Sequence, residues 1–191
     1  MKEISQPKTL YKIITIASSV GLVASFLQML EKLILLENPN AVLTCDINSV
    51  FSCTNILNSW QSSVFGFPNT LMCIIYFSLL LAIGLVGWTG SNINKKLRLT
   101  LQGMTLFFIG FGFWYLWQSI FAVGGLCIFC MFCYGAVLFI SGSMLRLNYK
   151  DYSKNKSVTR FFENMIAKQY DILIWIFIAI AIIIETIIKF A

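Results

Sequence analysis

Two cysteine pairs carry most of the chemistry this chain has available. Cys45 and Cys53 stand with seven residues between them in a polar segment, and Cys127-Ile128-Phe129-Cys130 opens a long apolar run. A C-x-x-C pair is the usual unit of reversible thiol–disulfide exchange, because its short loop opens and closes with little strain. Two such pairs in one apolar chain suggest electrons handed from one dithiol to the next. Histidine is absent, which removes imidazole acid–base chemistry, Ser-His-Asp and Cys-His nucleophiles, and metal sites built on imidazole. Other readings of the cysteines stay open at this level. Cys45 and Cys53 are also consistent with a static structural bridge. Cys130-Met131-Phe132-Cys133 is a second C-x-x-C, so Cys130 and Cys133 are an alternative pair. Four thiols, Cys45, Cys53, Cys127 and Cys130, would suffice for zinc, although a membrane-edge location disfavours it, and no metal is expected. Cys73, with no evident partner, reads as a small buried apolar residue.

The elements that must position these thiols are membrane helices. The 191 residues are 58% hydrophobic and only 12% charged, with mean hydropathy +0.80, against about 25% charged in soluble domains. The net charge of +6 does not gather into a nucleic-acid face. Spans are expected near 11–30, 68–88, 99–121, 126–145 and 172–190. Leu99–Leu145 has no charge over 47 residues, enough for two crossings of about 20 residues each, with Gly124-Gly125 as the turn between them. Glu185 interrupts the last span, with Lys189 four residues on as its expected partner. The first apolar run is expected to stay as a helix rather than to be cleaved. Arg146–Lys168 reads as a solvated connection. No internal repeat, low-complexity tract or separate soluble domain is evident, so 1–191 is expected to form a single membrane domain of all-α class.

Of the 14 Lys and Arg residues, 12 fall on one side of such a five-span chain, all but Lys32 and Lys189. The positive-inside rule then places the N-terminus in the cytoplasm and Cys45, Cys53, Cys127 and Cys130 on the outer side, where disulfides persist. Between Glu37 and Phe67, the residues Ile56, Leu57, Trp60, Val64 and Phe65 suit a short interfacial helix. It would be a lid carrying the first cysteine pair across the helix mouth. Phe113, Trp114 and Trp117 on the third span lie at a depth suited to walling a flat apolar ligand, or to ordinary packing in an aromatic belt.

The C-x7-C loop pair, the Ser63-Val64-Phe65-Gly66 entry to the second span, and Cys127-Ile128-Phe129-Cys130 followed by Tyr134 resemble the vitamin K epoxide reductase family over roughly Tyr11 to Leu145. The similarity is to its bacterial, quinone-linked disulfide-forming members. It implies a four-helix bundle around a quinone site, here with a fifth helix, in a bacterial inner membrane. It implies Cys127 and Cys130 as the active pair, with Cys130 nearest the quinone and Cys127 exchanging with the loop. It implies a Cys53–Cys127 mixed disulfide and attack by an external partner at Cys45. Tyr134 matches the tyrosine that hydrogen-bonds a quinone carbonyl, and lies one turn below Cys130 on the same helix face. Phe65, Phe113, Trp114 and Trp117 are the candidate aromatic contacts. Ser62 stands where some relatives carry an asparagine, a departure at the second quinone contact. The implied acceptor is a quinone of menaquinone, ubiquinone or vitamin K type. The implied donor is an outer-side thioredoxin-like oxidase of the DsbA type, expected to act in trans because no fused thioredoxin-like domain is seen. The other quinone-linked bacterial oxidase carries its C-x-x-C in the first outer loop, the reverse of the order here. A non-enzymatic maturation or carrier subunit stapled by disulfides is the alternative from another class.

Overall fold

A computed structural model describes residues 7–48, 50–152 and 156–190. Among them, four helices are long and apolar enough to cross a membrane: α1 (Pro7–Glu37), α3 (Asn69–Trp88), α4 (Lys95–Gln118) and α5 (Ile128–Asn148). The short α2 (Cys53–Asn58) lies in the segment between α1 and α3. A bent pair, α6 (Lys156–Ala167) and α7 (Tyr170–Phe190), supplies a possible fifth crossing. The chain is an all-α membrane bundle, and its one β-type contact among the described residues is a single parallel bridge between Phe51 and Leu126.

α1 is the spine. Its buried positions Tyr11, Ile14, Ser18, Gly21, Ser25, Gln28, Lys32 and Leu35 recur every three or four residues, the spacing of one helix face. Small residues let backbones approach. A Cβ on Gly21 would fall 2.4 Å from the Phe77 ring, one on Gly84 2.7 Å from Thr15 Oγ1, and one on Gly87 2.3 Å from the Tyr11 ring. Lipid tails give apolar helices no hydrophobic reason to associate, so packing of this kind holds membrane helices together. Tyr76 stacks on Phe108 at 4.2 Å and bonds Thr105 at 3.1 Å, tying α3 to α4.

Helix ends follow local chemistry. Asn94 caps α4 by accepting the Lys96 N–H at 2.8 Å. α4 ends in a turn of π-helix over Ser119–Val123, and Gly124 then takes φ 76°, which favours a residue without a Cβ. The reversal at Gly124-Gly125 delivers the chain directly into α5. At the opposite end, Asp151 pairs with Arg98 and Lys95, and Asn148 bonds the Arg98 carbonyl.

Two parts differ from the sequence reading. α1 does not stop near residue 30. It continues to Glu37, and Glu31 and Lys32 are buried within it. At about 1.5 Å per residue, 31 residues reach roughly 46 Å, past the hydrocarbon core of about 30 Å. The extra turns rise into the segment that carries α2. The stretch 146–168 is also not a plain connection. It holds α6, with apolar residues at Val158, Phe161, Phe162, Met165 and Ile166 on one face, and the Phe162 ring meets Tyr152 at 5.3 Å. The expected Glu185–Lys189 pair involves side chains outside the described residues.

Candidate redox site

The segment between α1 and α3 brings the first cysteine pair to the mouth of the bundle. Cys45 and Cys53 are disulfide-bonded, with Cα atoms 5.7 Å apart. Asp46 holds the start of α2: its carboxylate accepts the Thr54 N–H at 3.1 Å, the Thr54 hydroxyl, and the Leu43 N–H at 3.4 Å. Burial opposes its charge, but these bonds, together with one from the Ser52 side chain, outweigh that and hold the carboxyl below its ordinary value of 3.8. Ile56 and Leu57 of α2 are buried beneath, whereas Trp60, Val64 and Phe65 are exposed on the outside. Two residues of α1 fasten this lid. Lys32 Nζ donates to the Leu57 carbonyl and, at 3.4 Å, to Ser62 Oγ, while Glu31 accepts the Thr44 hydroxyl.

The bridge between Phe51 and Leu126 then sets the two pairs against each other. Leu126 N–H donates to the Val50 carbonyl at 2.7 Å, so the residues just beyond each bridge partner, Cys53 and Cys127, come together. Their Sγ atoms are 3.6 Å apart, and both are fully buried. Cys127 and Cys130 are free thiols. Cys127 precedes the first turn of α5. The Cys130 side chain, against the cost of burial, and the N–H groups of Cys130 and Phe129 hold its thiol below the ordinary range, with Asp46 acting the other way. A thiol of lowered basicity is a good leaving group in thiol–disulfide exchange.

Cys130 faces inward onto a partly open cavity of about 70 Å³ lined by α1, α3, α4, α5 and the lid. Its walls are mainly apolar, with Phe77, Phe108, Phe111 and Val137 among them. Its polar groups come from Gln28 and Lys32 on α1, Ser62 and Asn69 at the lid, and Tyr115 and Tyr134. An apolar lining with few polar groups suits a flat organic ring in its chemistry, while the space, about 70 Å³, is smaller than the usual ligand pocket of about 300–1,000 Å³. The Tyr134 hydroxyl has no hydrogen-bond partner among the described residues, so it is available to an acceptor carbonyl.

The expected site residues divide into two groups. Cys130, Tyr134 and Ser62 line the cavity, and Cys45, Cys53 and Cys127 form the chain of sulfurs leading to it. Phe65, Phe113, Trp114 and Trp117 are not among the lining residues. Phe113 and Trp117 are about half exposed on the outer surface of α4. Phe65 and Trp114 each lie 5.7 Å from the Phe111 ring and back the wall from outside. α4 turns Phe111, Gly112, Tyr115 and Leu116 inward, because Gly112 leaves the space that the Tyr134 ring fills. Of the two remaining thiols, Cys133 donates to the Gly21 carbonyl at 3.6 Å, and both it and Cys73 line the cavity. Among the described residues no three metal-ligating side chains converge.

The residues that sequence reasoning does not reach are Gln28, Lys32, Asn69 and Tyr115. Gln28 Nε2 donates to Cys130 Sγ at 3.1 Å across 102 residues of chain. The only signal for the α1 pair is their four-residue spacing on an otherwise apolar helix.

The vitamin K epoxide reductase family model matches residues 12–144. This chain belongs to that family. The match covers all four long helices, the lid and both cysteine pairs. A search of curated proteins finds no match. Membership implies a membrane thiol–disulfide oxidoreductase, and members of the family act with quinones.

Proposed function

We propose that this protein oxidises an outer-side thioredoxin-like dithiol protein and passes the electrons through its two cysteine pairs to a quinone. The observation that carries this reading is the 3.6 Å approach of Cys53 Sγ to Cys127 Sγ, with Cys130 next in line on the cavity wall. The partner's thiolate attacks Cys45, opening the Cys45–Cys53 bond, and its second thiol completes the partner's own disulfide. The freed Cys53 thiolate attacks Cys127 of a Cys127–Cys130 disulfide. A Cys53–Cys127 bond forms, the Cys127–Cys130 bond breaks, and Cys130 leaves as a thiolate. Cys45 then attacks Cys53 and releases Cys127.

The cavity residues fit a quinone ring. Tyr134 would donate to one carbonyl, and the lid edge at Ser62 lies across the cavity mouth. The bound quinone supplies the sink for two electrons and two protons. Cys130 borders that space, the lid keeps water from it, and Tyr134 orients the ring. The charge distribution supports a cytoplasmic N-terminus with the cysteines facing outward, in an inner membrane.

The test is anaerobic quinone reduction by purified protein with a reduced thioredoxin-like donor, comparing wild type with Cys130→Ala. Turnover should vanish in the variant. Full turnover in the variant, or none in wild type with intact thiols and any quinone, sinks the reading.

A further inference from the structure

Cys130 has an unequal position in the relay. Cys127 has the first-turn N–H groups of α5 to stabilise its charge. Cys130 lies inside that turn, facing an apolar cavity, yet it is the sulfur that must carry charge when Cys53 attacks Cys127. Its neighbours are the Gln28 amide and the Tyr115 hydroxyl from other helices and the Cys133 thiol from its own, and Lys32 lines the same cavity. The Gln28 Nε2 group donates to Cys130 Sγ at 3.1 Å from a side chain 5% exposed, and the Tyr115 hydroxyl is a second hydrogen-bonding neighbour of that sulfur.

We infer that Gln28 is the hydrogen-bond donor that stabilises Cys130 as the leaving thiolate and as the quinone-side nucleophile. The inference rests on the relay proposed above. A hydrogen bond to a charged group is roughly twice as strong as a neutral one, and a low-dielectric site strengthens it further. In the exchange step the Cys53–Cys127 bond forms as the Cys127–Cys130 bond breaks, and the electron pair stays on Cys130 Sγ, where the Gln28 N–H meets it. A leaving thiol of lower basicity departs faster. The same bond favours the reduced pair over the disulfide, whose sulfurs are weak acceptors. Gln28 therefore makes the Cys127/Cys130 couple more oxidising and draws electrons inward from the loop pair.

The experiment is an equilibrium redox titration of Cys127/Cys130 in the full chain against dithiol buffers, read by thiol alkylation and peptide mass. Gln28→Leu removes the donor. Gln28→Glu keeps the size and places an acceptor against the sulfur. Ser18→Ala, a buried change on the same helix outside the cavity lining, controls for packing. The Gln28→Leu equilibrium should shift about tenfold toward the disulfide, equal to roughly 30 mV for a two-electron couple. Gln28→Glu should shift further the same way, and Ser18→Ala should stay at wild type. If both Gln28 variants retain helical circular dichroism and titrate with wild type, the inference is overturned. An equal shift in Ser18→Ala also overturns it, by assigning the effect to packing. The titration uses neither quinone nor partner protein. A wild type that reduces no quinone therefore defeats the proposed acceptor without touching this result.

Discussion

Gly112→Ala separates the quinone step from the thiol steps. A Cβ at position 112 would fall 2.5 Å from Tyr134 Cδ2 and 2.7 Å from Cε2. Non-bonded carbons settle at about 3.5–4.0 Å, so the ring must retreat by roughly 1 Å. Tyr134 is not a flexible tip that swings aside, since its ring is packed among Leu116, Ile120 and Leu126. Overpacking of this kind costs about 1–3 kcal/mol. Replacing glycine inside a helix returns about 0.5–1 kcal/mol, so the bundle should still fold. A misplacement of about 1 Å in a reacting group can cost on the order of a hundredfold in rate. Quinone reduction should fall by that order. Formation of the Cys53–Cys127 link, set by the Phe51–Leu126 bridge on the far side of Cys130, should stay within about twofold, the tolerance set by the same positional argument. The assay pairs anaerobic quinone turnover with acid-quenched trapping of the internal mixed disulfide. Turnover near the wild-type rate in a variant of unchanged thermal stability would refute the placement of Tyr134 at the acceptor. Equal loss of both steps would show that the two ends of the site are not separable.

Two further outcomes concern the lid. Cys45→Ser removes the thiol that resolves the internal link, so a Cys53–Cys127 disulfide should accumulate on oxidation, given sulfurs already 3.6 Å apart; its absence from thiol-blocked peptide maps would argue against the order of transfer. Asp46 contributes through a carboxyl held below 3.8 in the folded chain. For such a depressed group the stabilisation is complete above about 3.8 and is lost as pH falls through the lower folded value. Pepsin should therefore leave the lid of the wild type intact near pH 4 and cut it only at lower pH, whereas Asp46→Asn should be cut already at pH 4. Identical cleavage of the two proteins would remove Asp46 from the account.

The helices were legible because length and hydropathy alone decide them: an uncharged stretch of 47 residues with two adjacent glycines has few other solutions. The facing of α4 was not. Aromatic residues stand on every side of it, so Phe113, Trp114 and Trp117 give no stronger periodic signal than Phe111 and Tyr115. Its rotation is fixed by Tyr134 seeking the gap at Gly112, a contact between different helices. The two cysteine pairs stand out in sequence, but their approach depends on the bridge from Val50 and Phe51 to Leu126, which no local pattern announces. The face of α6 is written in its spacing, and the basic residues around it obscure that spacing.

α1 organises the site through a face whose role was not legible, and its two halves explain how. Along one continuous face the residues are small at Ala17, Ser18, Gly21 and Ala24, then polar at Gln28, Glu31 and Lys32. Where the face is small, the Phe77 ring and α5 pack directly on it. Where it becomes polar, the helices enclose the cavity instead of filling it, and the side chains reach Cys130, Ser62 and the lid. A buried lysine or glutamine is costly beside lipid and is retained there only with partners. Here the partners are the lid backbone and a redox-active sulfur. The same helix that fixes the bundle by close packing on its N-terminal half thus supplies, on its C-terminal half, the donors that reach the lid and the Cys130 sulfur. Moving Gln28 by one residue in either direction would turn it about 100° around the helix, away from the Cys130 sulfur it now meets at 3.1 Å.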